Sequence, residues 1–137
     1  MKLSRIRKGV RNVTEGGWVD RIPIDALEGV AFRVRGARNP DAIKLRADLI
    51  AALDEEQRTA LPADTVEAIA TEVMARAVLL DWNLTDEADA LIPFTPEAAL
   101  DLLTDPEIGE TMREGVAYAA AVVAAQGRDA LETDAKN

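Results

Sequence analysis

Three residues in the middle of the chain have the spacing of a calcium-binding loop. Asp81, Asn83 and Thr85 would supply oxygen ligands at the first, third and fifth positions of such a loop. The sixth position requires a glycine and the twelfth a bidentate glutamate, but Asp86 and Ile92 stand there. Because the pattern fails at both discriminating positions, the sequence predicts no metal site.

Other residues with catalytic chemistry are scarce. The chain contains no histidine and no cysteine, which excludes imidazole acid–base catalysis, thiol nucleophiles and thiolate metal sites. Nothing in the spacing singles out a catalytic pair among the 25 Asp and Glu residues. We therefore expect a protein that is not an enzyme, that carries no cofactor, and that has a binding or assembly role.

The charge is unevenly distributed along the chain. Residues 1–58 hold 12 Lys or Arg against 9 Asp or Glu, whereas residues 59–137 hold 4 against 16. An acidic half of this kind disfavours nucleic-acid binding. The longest nearly apolar run, 115–125, is shorter than the roughly 20 residues of a membrane span, and the N-terminus lacks the apolar run of a signal peptide. We expect a soluble, cytoplasmic protein without nucleic-acid or membrane partners.

Hydrophobic periodicity predicts a mainly α fold, with four or five helices in a small domain and an N-terminal β-hairpin. Val30, Phe32 and Val34 alternate with small or charged residues, which is the period of a half-buried strand. Pro40 follows a possible capping asparagine and suits the first turn of a helix. We expect a flexible basic arm at 1–15, a single helical domain at 16–127 with the hairpin at about 17–36, and a flexible tail at 128–137.

Two later helices have unusually broad apolar surfaces. One helix is predicted at 61–82, with Met74 and Val78 widening its apolar stripe. Another begins near Thr104 and stops at Gly127; Val116 and Val123 belong to one of its two apolar faces. Such faces are candidates either for the core or for binding a partner helix.

The connection at 82–95 leads from the first of these helices to a short helix predicted at 96–103, and it is richer in apolar residues than an ordinary loop. We expect Trp82 and Phe94 to fold back as anchors on the adjoining helices, while the acidic middle stays in water. Thr95 is a good helix cap, and Pro96 suits the first helical position. Pro93 and Pro96 fix the direction in which the next helix leaves.

Two segments resemble phage tail assembly chaperones. "VLLDWNLTDEADALIPFTPEAALDLLTDP" (78–106) is similar to a recurrent segment of these proteins from long-tailed, siphovirus-type phages and prophages. "GVAFRVRGARNPD" (29–41) resembles the N-terminal strand of that family and the Asn-Pro that follows it. The tentative family-motif or partner-binding residues are Trp82, Pro93, Phe94, Thr95 and Pro96, with Val116 and Val123 on the last helix.

The resemblance implies a non-enzymatic function in tail assembly. Such chaperones bind the tape measure protein, a long helical chain prone to aggregation, and keep it soluble while the tail tube assembles. The implied partners are the tape measure protein, further copies of the chain and, as an additional candidate, the tail tube protein. The protein would then be absent from the mature virion. The alternative from the sequence is a structural tail-completion or head–tail connector protein of the virion.

Overall fold

Helices dominate the fold, and a small antiparallel sheet packs against them. The computed structural model describes the backbone of residues 2–136 and the side chains of residues 2–129. The mainly α prediction is confirmed. The described helices are α1 (Leu3–Glu15), α2 (Pro40–Ala51), α3 (Glu55–Thr59), α4 (Ala63–Val73), α5 (Pro96–Leu103) and α6 (Gly109–Lys136), with a short 3-10 turn at Asp25–Leu27.

The sheet has three strands in the order β1 (Gly17–Val19), β2 (Phe32–Val34) and β3 (Leu79–Trp82). Antiparallel pairing of β1 with β2 confirms the predicted hairpin. Phe32 lies opposite both Val19 and Trp82, so these three residues form one row across the sheet. All three are buried, which identifies the face of the sheet that meets the helices.

The third strand was not predicted, and a helix through Trp82 was wrong. The α-helix ends at Val73, a π-helical turn follows at Met74–Val78, and the chain then extends as β3. A continuous apolar run such as "AVLL" fits a buried strand as well as a helix, so periodicity does not decide between them. The pairing with β2, a contact distant in sequence, decides it here, and the Arg35 amide also donates to the Val78 carbonyl at 2.9 Å.

Residues 1–15, expected as a flexible arm, instead contain helix α1. Its Ile6 is buried, and the helix packs along the C-terminal part of α6. The two helices approach closely at Gly127, where a Cβ atom would lie 2.6 Å from a Val13 methyl carbon. Gly127 therefore serves close packing and does not stop α6, which continues to Lys136 through most of the segment expected as a flexible tail. The side chains of 130–137, and Asn137 entirely, lie outside the described residues.

The core lies between the inner face of the sheet and helices α4, α5 and α6. Its largest fully buried side chains include Phe32, Leu79 and Leu103. Asn39 is buried among them and makes three hydrogen bonds: it accepts from the Ala42 amide and donates to the carbonyls of Gly36 and Ala77. This one side chain caps α2 and ties it to the π-helical turn. Among the described residues, no helix is long and apolar enough to cross a membrane.

Candidate functional site

An open groove of about 430 Å³ runs between α1, α4 with its π-helical turn, and α6. Its rim carries the three arginines Arg38, Arg46 and Arg128. All three rim residues are exposed. Its apolar lining includes Val13, Ala70, Met74, Ala117, Ala121 and Ala124.

The small side chains of α6 keep this groove open. Ala117, Ala120, Ala121 and Ala124 recur at intervals of three and four residues and thus lie on one face of the helix. A methyl group does not reach across to the facing helix as leucine or methionine would. The floor therefore remains apolar but uncovered, and Ala117 and Ala121 stay exposed.

The rim arginines differ from several other arginines of the chain, which form ion pairs. Arg35 pairs with Asp41 at 2.8 Å, and Arg76 and Arg113 pair with glutamates at 3.2 Å. Within the part of the chain whose side chains are described, Arg38, Arg46 and Arg128 form neither an ion pair nor a side-chain hydrogen bond. The groove thus presents three uncompensated positive charges on a protein of net charge −9, which favours a ligand that combines apolar and acidic groups.

The aromatic connection packs into the core, as the sequence predicted. Trp82 is 2% exposed, and its indole N–H donates to the Ile92 carbonyl at 2.7 Å. The ring of Phe94 meets that of Trp82 edge to face, with centroids 4.9 Å apart. This geometry suits the quadrupoles of the two rings and fixes the return of the chain to the helices.

The acidic middle of this connection forms a tight turn at 84–92, which we call the acidic turn. One Asp86 carboxylate oxygen accepts from the amides of Ala88 and Ala90 at 2.8 and 3.0 Å. Asp89 adopts a left-handed conformation with φ of 60°, which aspartate tolerates better than most residues. The acidic side chains of the turn are exposed, as expected, and Leu91 is 62% exposed.

The residues that suggested calcium serve the fold. The Asn83 side chain accepts from the Ala31 amide at 2.8 Å and donates to the Gly29 carbonyl at 2.9 Å, so it closes the end of the hairpin. Asp81 accepts from the Trp82 amide. Among the described residues, no cluster of three or more potential acidic, histidine or cysteine ligands could hold a metal ion.

The seven predicted site residues separate into two places. Trp82 and Phe94 pack edge to face, and Pro93, Thr95 and Pro96 lie beside Phe94 in the same connection. The Thr95 hydroxyl accepts from the Ala98 amide at 3.0 Å, and Pro96 starts α5, so this motif positions a helix.

Val116 and Val123 lie on α6 and are fully buried. Both valines belong to the core, and Val116 also lines the groove. The sequence reasoning missed the alanine face between the two apolar faces that it assigned to the last helix. The spacing of Ala117, Ala121 and Ala124 was the available signal, but alanine is common in helices and marks no surface by itself.

The comparisons with known proteins identify the source of the chain. The family model described as YdaY prophage protein matches residues 37–137, a range that contains α2 to α6 and most of the groove. No curated protein and no solved structure matches the chain. The match confirms the phage or prophage character implied by the resemblance. The chain belongs to the YdaY prophage protein family.

Proposed function

We propose that this prophage protein is a non-enzymatic tail assembly chaperone that binds the tape measure protein and keeps it soluble during tail tube assembly. The observation that carries the proposal is the open groove, whose lining is mainly apolar. The family match supports a phage or prophage protein. The resemblance of 78–106 to tail assembly chaperones supports the role in tail assembly.

The dimensions of the groove suit a client helix. The α6 residues from Ala117 to Arg128 span about 16 Å at 1.5 Å per residue, which corresponds to about three helical turns. A helix that lays its apolar face into such a groove uses a recurrent mode of protein recognition. Alanines on the floor allow the two helix backbones to approach closely.

The proposed partners follow from this role. The tape measure protein is the client, and the tail tube protein is a second candidate that would meet the client as the chaperone leaves. The chaperone acts in the host cell cytoplasm and is absent from the mature virion. Several weak groove contacts along one long client would gain avidity if copies of the chaperone associate.

Co-expression with the tape measure protein of the same prophage tests the proposal. Wild-type protein should raise the soluble yield of the tape measure protein and co-purify with it. Ala121→Trp, which fills the groove, should lose both effects. Ala47→Trp is the matched control, because Ala47 is an exposed helical alanine outside the groove lining. Equal rescue by Ala121→Trp and wild type would contradict the proposal.

Purified particles separate this role from a structural one. Mass spectrometry should find no copies of the protein in mature virions of the prophage. A stoichiometric amount in the particle would favour the alternative, a tail-completion or head–tail connector protein.

A further inference from the structure

The acidic turn is chemically complementary to the groove. Asp86, Glu87 and Asp89 are exposed acids, and Leu91 is an exposed apolar side chain between them and the core. The groove offers an apolar floor inside a rim of three arginines, none of which forms an ion pair among the described side chains. The two surfaces therefore carry opposite charges, and each has apolar groups that can pack against those of the other.

The acidic turn is also held in one shape. Its stem is closed by the Ile92 amide, which donates to the Leu84 carbonyl at 2.8 Å, and by the Asp86 amide, which donates to the Ala90 carbonyl at 2.9 Å. The Asp86 side chain adds two hydrogen bonds inside the turn. A turn ordered in this way loses little conformational entropy when it binds.

Within one chain the two surfaces lie at opposite ends of the sheet. β2 leads from Phe32 toward Gly36, and β3 starts after Val78; Gly36 and Val78 both line the groove. β3 is antiparallel to β2 and leads away from the groove, and the acidic turn follows it after Trp82. The four residues of β3 separate the surfaces by about 13 Å at roughly 3.3 Å per residue. No residue of the acidic turn lines the groove of its own chain, and the hydrogen bonds at the stem hold the turn beyond the end of β3.

We infer that the acidic turn of one copy docks in the groove of a second copy. The two contacting patches differ, so the contact is head to tail. The copy at one end of the assembly keeps a free turn, and the copy at the other end keeps a free groove. Association of this kind produces open chains, or rings if the rotation between copies closes. It covers the apolar floor in the absence of another ligand.

The contact also has a consequence for the client. A groove of about 430 Å³ does not hold a client helix and an acidic turn together. Client binding and this self-association therefore compete, and only this consequence rests on the proposed function. The self-association itself does not depend on the proposed function.

Sedimentation velocity over a range of protein concentrations tests the inference with two variants. The groove variant reverses the rim with Arg38→Glu, Arg46→Glu and Arg128→Glu. The turn variant carries Glu87→Lys and Leu91→Ser, which leave the hydrogen bonds of Asp86 and the backbone of Asp89 in place. Circular dichroism melts check that each variant is folded, and Ala121→Trp replaces the groove variant if the triple substitution unfolds the chain.

We expect wild-type protein to associate with concentration and each variant alone to associate at least about tenfold more weakly. An equimolar mixture should form a one-to-one dimer and nothing larger, because the groove variant still has a turn and the turn variant still has a groove. A wild type that stays monomeric would overturn the inference and leave the groove to a client. Variants that associate like wild type, or a mixture that stays monomeric, would overturn it as well.

Discussion

The chain contains two apolar regions that meet opposite fates. In the connection at 82–95, Trp82 and Phe94 are large and pack edge to face; the tryptophan is only 2% exposed and the phenylalanine is half-buried. In the groove, Ala117 and Ala121 are small, and both stay exposed. Large apolar side chains bury enough surface to pack firmly against the core. A row of alanines fills less volume and leaves a groove that another chain can occupy. The residues most conspicuous in the sequence therefore hold the fold, and the inconspicuous ones are available for binding.

Trp82→Ala should have the largest effect on stability. It removes a buried indole, its stacking with Phe94 and its hydrogen bond to Ile92, which together should cost about 3–5 kcal/mol in the free energy of unfolding. Denaturant titration measures this cost. Trp18→Ala is the control, because Trp18 is 54% exposed and should change stability by about 0.5 kcal/mol or less. Similar losses for the two tryptophans would contradict the division between a covered and an uncovered region.

Asn39→Ala should rank second and should affect the groove as well. The substitution removes the cap of α2 and leaves the carbonyls of Gly36 and Ala77 without this donor, for an expected cost of about 2–4 kcal/mol. Gly36 lines the groove, so client binding should weaken along with stability. Full client binding at normal stability would show that the wall of the groove does not depend on Asn39.

Thr95→Ala should have a smaller effect on stability. Its hydroxyl makes one exposed capping hydrogen bond to α5, and such a cap contributes about 1 kcal/mol. The thermal melt should therefore shift less than that of Asn39→Ala. Client binding should not change, because Thr95 is outside the groove lining. A loss of client binding in Thr95→Ala would indicate that the "PFTPE" motif contacts the client.

Ala121→Trp should have the smallest effect on stability and a complete effect on binding. Position 121 is exposed in the middle of a helix, where replacing alanine by tryptophan costs at most about 0.7 kcal/mol in helix propensity. Titration calorimetry with a client-derived helix should detect no binding. A variant that is strongly destabilised would indicate that the groove is less open than described.

Salt should distinguish the two regions without any substitution. The rim arginines are exposed, so their attraction for acidic groups is screened over a Debye length of about 10 Å at 0.1 M and 3 Å at 1 M. Self-association through the groove should therefore weaken steadily as salt rises, whereas the packing of Trp82 should not. Association that strengthens with salt would point to an apolar contact without the arginines.

Local patterns in the sequence were sufficient for much of the fold. The cap and proline at the start of α5, the β-hairpin and the burial of Trp82 all depend on neighbouring residues, and they were predicted. Strand β3 was not, because "LLDW" becomes a strand only through pairing with Phe32–Val34, nearly 50 residues earlier. Helix α1 was missed because its basic residues concealed a stripe that packs on the last helix of the fold.

The candidate site was less accessible to sequence reasoning. The groove exists because α1, α4 and α6 come together around alanines, and its charge exists because three arginines from two separate parts of the chain meet at its rim. Neither property is visible in any one segment. Val116 was predicted as a candidate contact and does line the groove, but it is buried at the bottom and the exposed alanines beside it form the surface.

Photo-crosslinking in cells that co-express the tape measure protein tests whether the groove binds this client. A photoreactive residue is introduced at position 121 in the groove and, as the matched control, at position 47. We expect a covalent adduct with the tape measure protein from position 121 and none from position 47. No adduct from position 121, with adducts instead from residues of the 82–95 connection, would contradict it.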